Sequence, residues 1–148
     1  MTYLDELVLV VPPGHTLATE REVSIRQLGA ESFVAHTVSS PYRDKVLQTF
    51  QKYKTPLHMD LELPTLQAIK QFVALGSGVA LMPEISVETE VARGELVGIP
   101  VRELQVQRKL RLIYRKEAGL SHAARAFLKV AEAVATERGG RHRFQRES

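Results

Sequence analysis

Cysteine is absent from the 148 residues, which excludes disulfides, thiolate metal sites and thiol nucleophiles together and fits a reducing compartment. Long apolar runs are missing too. Nothing approaches the roughly 20 residues a helix needs to cross a bilayer, so no membrane partner is expected. The opening MTYLDEL carries two acids and no basic n-region, unlike a secretory signal, and the cytoplasm is the expected location. The five histidines, at 15, 36, 58, 122 and 142, show no HExxH or comparable ligand spacing, so no metal site is expected and no cofactor is assigned. Of these only His36 falls near a candidate site, where a loop or cap role is the simpler reading. Ser77, between Gly76 and Gly78, precedes a strand, whereas a nucleophile elbow lies between strand and helix. The same two glycines lack the third of a dinucleotide fingerprint. No catalytic residue is assigned, and the chain is not expected to be an enzyme.

What is present is ordinary globular composition, 44% hydrophobic and 25% charged, on a length suited to one domain or two small lobes. The net charge of +3 is concentrated at the end, where RGGRHRFQRES holds four arginines. Residues 138–148 are expected to be a solvated, disordered tail rather than a nucleic-acid arm, because a run without a packed frame offers only salt-sensitive attraction to phosphate.

Along the chain, ELVLVV (6–11) is a continuous apolar run stopped by Pro12, Pro13 and Gly14, which predicts a strand buried on both faces and then a turn. VSIRQL predicts a short helix capped by Ser24, and SFVAH (32–36) a second buried strand. The following helix has Ser40 as N-cap, Pro41 at its first position, and an apolar stripe of Tyr42, Val46, Phe50 and Tyr53. LHMDLEL (57–63) alternates Leu57, Met59, Leu61 and Leu63 as a strand does. In LPTLQAIKQFVALGSGVALMP (63–83), Leu66, Ile69, Phe72 and Val73 form one helix face, Gly76 is the expected C-cap, and Gly78 leads into another buried strand. Beyond Pro83 come a short acidic helix, strands at ELVGI and KLRLIYR, and a final helix from Ser121 to Arg138. Its stripe is Ala124, Phe127, Leu128, Ala131, Val134 and Ala135.

Strands alternating with helices imply parallel βαβ units, whose strand-to-helix loops gather at the carboxyl edge of the sheet. Two such loops are candidates: 36–40, with hydroxyls at Thr37, Ser39 and Ser40, and Leu63, Pro64 and Thr65. Each ends at a helix start, where unpaired N–H groups and partial positive charge suit a carboxylate, phosphate or sulfate. Ser and Thr are also the usual caps of any helix, so the pairing of the two loops carries the expectation rather than the residue types.

The order LVLVVPPGHTLA, SIRQLGAESFV, SSPYRDKVLQTFQKY, LPTLQAIKQFVALGSGVALMP, GELVGIPV and KLRLIYRKEAGLSHAARAFLKV resembles the effector-binding domain of LysR-type transcriptional regulators over residues 4–130. The resemblance implies an α/β fold like the type 2 periplasmic binding proteins: two lobes of parallel or mixed sheet flanked by helices, joined by two crossing strands, with a small effector between them. It implies a first crossing within residues 1–12, a complete second lobe over 13–82, a return crossing with the last part of the first lobe over 83–137, and hinges at Val11, Pro12, Met82 and Pro83. By motif position the family's effector contacts fall on Pro64, Thr65 and Leu66. The expected partner is a small, anionic effector, bound to control transcription. The family's DNA-binding winged helix and linker helix, and the first half of its first lobe, have no counterpart in these residues. A fragment that makes no direct DNA contact is therefore expected, associating into a homo-dimer or larger species through apolar surface left without partners. The alternatives are a transporter's solute-binding protein and an oligomerisation module without ligand.

Overall fold

The computed structural model describes residues 2–111, 113–115 and 119–137. In chain order its elements are β1 (Thr2–Val11), β2 (Ser32–His36), α1 (Pro41–Lys52), β3 (His58–Leu63), α2 (Leu66–Ala74), β4 (Ala80–Pro83), α3 (Glu88–Ala92), β5 (Val97–Pro100), β6 (Gln107–Arg111) and α4 (His122–Glu137), with 3-10 turns at Ile25–Leu28 and Glu84–Ser86. The described residues divide into two compact units, one spanning Glu6–Val106 and the other joining those before Glu6 to those from Gln107 onward.

Within the larger unit, Leu7 to Val11 of β1 are all buried. Leu7, Leu9 and Val11 enter one apolar cluster, Val8 and Val10 a second, as the two-residue period requires of a strand covered on both faces. β4 and β5 flank β1 antiparallel, so that Val8 lies opposite Met82 on one side and Pro100 on the other. β6, which belongs to the smaller unit, also pairs with β1.

β2 and β3 pair in parallel with α1 as their crossover, His36 opposite Leu63. On the other side of β2, Val79 bridges Phe33 in parallel, and Val34 N–H donates to Val79 O at 2.9 Å. The chain thus leaves β2 in one direction and, after α2, returns beside it in the other, the strand order of an open α/β sheet at its switch point. Phe33 packs with Val46 and Phe50 of α1 in the first cluster, while Val34 packs with Ile69 and Val73 of α2 in the second. The two helices therefore cover opposite faces of one parallel sheet. Phe50 meets Phe33 edge to face, centroids 5.9 Å apart.

Several expectations shift. The alternation from Leu57 to Leu63 does not keep one face: a bulge in β3 sets Phe33 opposite Met59 but Val34 opposite Leu61, leaving Asp60 extra. One added residue reverses strand parity, so Leu57 and Met59 pack on the first cluster, Leu63 on the second, and Leu61 is left exposed. Leu66 also leaves the apolar face of α2 and is 40% exposed at the helix start. Val11, Pro12, Met82 and Pro83 all lie inside Glu6–Val106, and the units part at Asp5/Glu6 and Val106/Gln107. Both clusters run through β1 and β4 as well as the β2–β3 layer, and the first also takes Val97 and Ile99 of β5.

α2 closes in a Schellman motif: Gly76 N–H donates to Val73 O and Ser77 N–H to Phe72 O, with Gly76 at φ 76°. A Cβ on Gly78 would sit 2.9 Å from the Ser32 carbonyl oxygen, so close backbone approach, rather than the turn, requires that glycine. In the smaller unit, Ser121 Oγ accepts the Ala124 N–H at the start of α4. Ala124, Leu128 and Ala131 are half-buried while Phe127 and Val134 are exposed. Leu112, the Ala135 side chain and the tail 138–148 lie outside the described residues.

Candidate functional site

Parallel pairing brings the ends of β2 and β3 to one rim. Past the His36–Leu63 pair, Thr37 N–H donates to Leu63 O at 3.0 Å, so Thr37 stands beside Pro64 and Thr65. Thr37, Val38 and Ser39 are exposed, as are Pro64, Thr65 and Leu66. The structure gathers all six predicted site residues along this rim, five on the loops that lead into α1 and α2 and Leu66 as the first residue of α2.

The two hydroxyl caps form as expected. Ser40 Oγ accepts Arg43 N–H at 3.3 Å and Thr65 Oγ1 accepts Ala68 N–H at 3.1 Å. The helix starts are nonetheless unequal as anion sites. At α2, Leu66 and Gln67 are not proline and have no N–H partner among the described residues. At α1, Pro41 has no N–H to give, and the amides of Arg43 and Asp44 are taken by the Ser40 side chain and carbonyl. The α2 start is thus the richer in free donors.

Arg43 is the residue sequence reasoning missed. Helical side chains point back toward the N-terminus, and from the first turn of α1 its guanidinium reaches the His36 carbonyl oxygen at 3.1 Å and pairs with Glu62 on β3. It ties the end of β2 to the end of β3 directly under the loop. The available signal was Arg three residues after a Ser cap. His36 behaves as a loop residue: its Nδ1 accepts the Val38 N–H at 3.1 Å, which in the neutral ring leaves the proton on Nε2. Further along α2, Lys70 Nζ donates to Glu90 Oε1 at 2.6 Å and to the Ser86 carbonyl at 3.0 Å. The hydrogen bond from Lys70 holds the Glu90 carboxyl below its usual pKa, against the opposing effect of burial. This pair fixes α2 to the segment after β4, away from the rim. Among the described residues no cluster of His, Cys, Asp or Glu could hold a metal ion, and no helix is long and apolar enough to cross a membrane.

Two crossover helices starting at the carboxyl rim of one parallel sheet form the arrangement beside which open α/β folds in general bind their ligands. The family model for the LysR substrate binding domain matches residues 2–136, and the chain belongs to that family. The RuBisCO operon transcriptional regulator of Allochromatium vinosum is 31% identical over 121 residues, 82% of this chain and 40% of that protein. The HTH-type transcriptional activator CmpR of Synechocystis is 28% identical over 122 residues, again 82% of this chain and 40% of the relative. The chain thus spans about 40% of the length of these two relatives, which are transcriptional regulators rather than enzymes. Among solved structures, the regulatory domain of Synechocystis CcmR in complex with 2-PG superposes with a TM-score of 0.72 at 27% identity, covering 89% of this chain and 65% of that one. The effector binding domain of QuiR in complex with shikimate is alike in fold, TM-score 0.68 at 21% identity, covering 91% of this chain and 63% of that one. The fold is that of LysR regulatory domains, the type 2 periplasmic-binding-protein-like architecture the sequence predicts.

Proposed function

We propose that this chain is the effector-sensing part of a LysR-type transcriptional regulator and that it binds a small anionic metabolite at the rim shared by α1 and α2. The observation that carries the reading is the pair of hydroxyl-capped helix starts meeting past the His36–Leu63 pair. Thr37, Ser39 and Ser40 contribute from one loop and Pro64, Thr65 and Leu66 from the other. The Leu66 and Gln67 amides face the charge and Thr65 sets their direction. The complex of the CcmR regulatory domain with 2-PG supports a small-molecule effector. Control of transcription is exerted in the cytoplasm through the remainder of a longer regulator, with no direct DNA contact by this segment.

An exposed helix start contributes roughly 0.3–1 kcal/mol toward an anion, whereas micromolar binding needs about 8 kcal/mol, so this wall alone binds weakly. Calorimetric titration with 2-PG, repeated on Thr65→Ala and Ser40→Ala, tests the reading. Weak binding that both substitutions reduce is expected. Submicromolar binding by a monomer, or a titration unchanged by either substitution, contradicts it. The exposed Ile113, Phe127 and Val130 support association into a dimer or larger species, and light scattering at high concentration that shows only monomer contradicts that part.

A further inference from the structure

A second concave site lies at the opposite end of α1. Arg26 from the first 3-10 turn and Lys52, Tyr53, Lys54 and Thr55 from the end of α1 line an open hollow of about 420 Å³, within the size range of small-ligand pockets. Its three charged lining residues are all cations, and none of them is ion-paired among the described residues. Lys52 and Lys54 complement the negative end of the helix dipole. Arg26 belongs to another element and does not, yet it closes the cluster.

Two features of the backbone hold this arrangement. Gly29 lets the 3-10 turn approach the loop after α1, since a Cβ there would meet Thr55 Cγ2 at 3.1 Å and Pro56 Cδ at 3.4 Å. That approach brings Arg26 beside Lys52 and Lys54. The end of α1 is a Schellman motif, Lys54 N–H donating to Gln51 O and Thr55 N–H to Phe50 O, and its left-handed position is filled by Lys54 at φ 50°, the one non-glycine residue with positive φ among the described residues. Glycine occupies the equivalent place at the end of α2, so a lysine there gives up backbone ease and adds a charge to the hollow. Tyr53 lines it half-buried, with Lys52 Nζ 5.7 Å from the ring centroid.

We propose that this hollow is a second anion site, separate from the rim, for a small molecule carrying a phosphoryl group. An arginine fork and two lysine point charges without a competing carboxylate match phosphate oxygens better than a single carboxylate. The site uses none of the rim residues, so it stands or falls independently of the effector reading.

Amide-resolved NMR titration of the full chain with inorganic pyrophosphate tests it, with Arg26→Gln, Lys54→Gly and Thr65→Ala run in parallel. The amides of Arg26 and of Lys52 to Thr55 are expected to move together with one Kd. That Kd weakens about fivefold in Arg26→Gln and in Lys54→Gly, the upper range for one exposed charge, and is unchanged in Thr65→Ala. Lys54→Gly suits the left-handed position, so misfolding does not obscure the result. The proposal is overturned if these amides do not move, if sodium chloride at matched ionic strength moves them equally, or if Arg26→Gln and Lys54→Gly bind as tightly as the parent chain.

Discussion

Helices α1 and α2 each follow a strand of one parallel sheet, each begin on a hydroxyl that accepts the N–H three residues on, and each close with a Schellman motif. They differ at both ends. α1 starts with Pro41 and finishes with Lys54 left-handed; α2 starts with two free amides at Leu66 and Gln67 and finishes with Gly76. α1 is held by an aromatic anchor, Phe50 on Phe33, whereas α2 is held by the smaller Ile69 and Val73 and by the Lys70–Glu90 pair. Identical local plans can thus serve different ends: the α2 start is the better place for an anion, and the α1 end spends backbone ease on charge.

Substitutions at the two helices should separate them by size of effect. The largest effect is expected from Phe50→Ala, about 3–5 kcal/mol of stability lost by denaturant unfolding; a loss no greater than that of Val73→Ala would remove the contrast in anchoring. Next is Lys70→Met, which leaves the mostly covered Glu90 carboxylate without its hydrogen-bonding cation, with Oε2 already unpartnered among the described residues, at a cost of about 3 kcal/mol. The same pair sets an acid dependence. The Glu90 pKa is lower folded than its ordinary 4.5, so its contribution is full above that ordinary value and is lost as pH falls through the folded one. Urea unfolding at neutral pH and at about pH 3 should show a stability difference that Glu90→Gln reduces; an unchanged difference would count against the pair. Smaller and opposite in sign are the two helix ends: Lys54→Gly should stabilise and Gly76→Ala destabilise, each by about 1 kcal/mol, read as shifts in Tm of opposite direction. Smallest are the exposed caps, where Ser40→Ala and Thr65→Ala should each cost roughly 0.5 kcal/mol, the low end for a lost cap.

Much of this contrast was legible in the sequence. Ser40 with Pro41, Thr65 before an apolar face, and the unbroken run from Leu7 to Val11 announce their roles through capping chemistry and periodicity, and the two loops at one rim follow from βαβ topology. Three things were not legible. The Asp60 bulge leaves alternation intact on paper while reversing it in space. Arg43 reads as one surface cation among many until α1 is placed on the sheet and its side chain reaches back to His36 and Glu62. The left-handed Lys54 is hidden for a related reason: a lysine gives no backbone signal, where a glycine would have.

The proposed effector site requires the two helix starts to act as one anion-binding wall. Amide-resolved NMR titration of the chain with a panel of small organic acids and phosphate esters measures this at the residues concerned. The prediction is that at least one compound moves the amides of Thr37 to Ser40 and of Leu66 and Gln67 together, with a single Kd and the larger shifts at α2. If no member of the panel moves them, or only one of the two loops responds, the shared wall is contradicted.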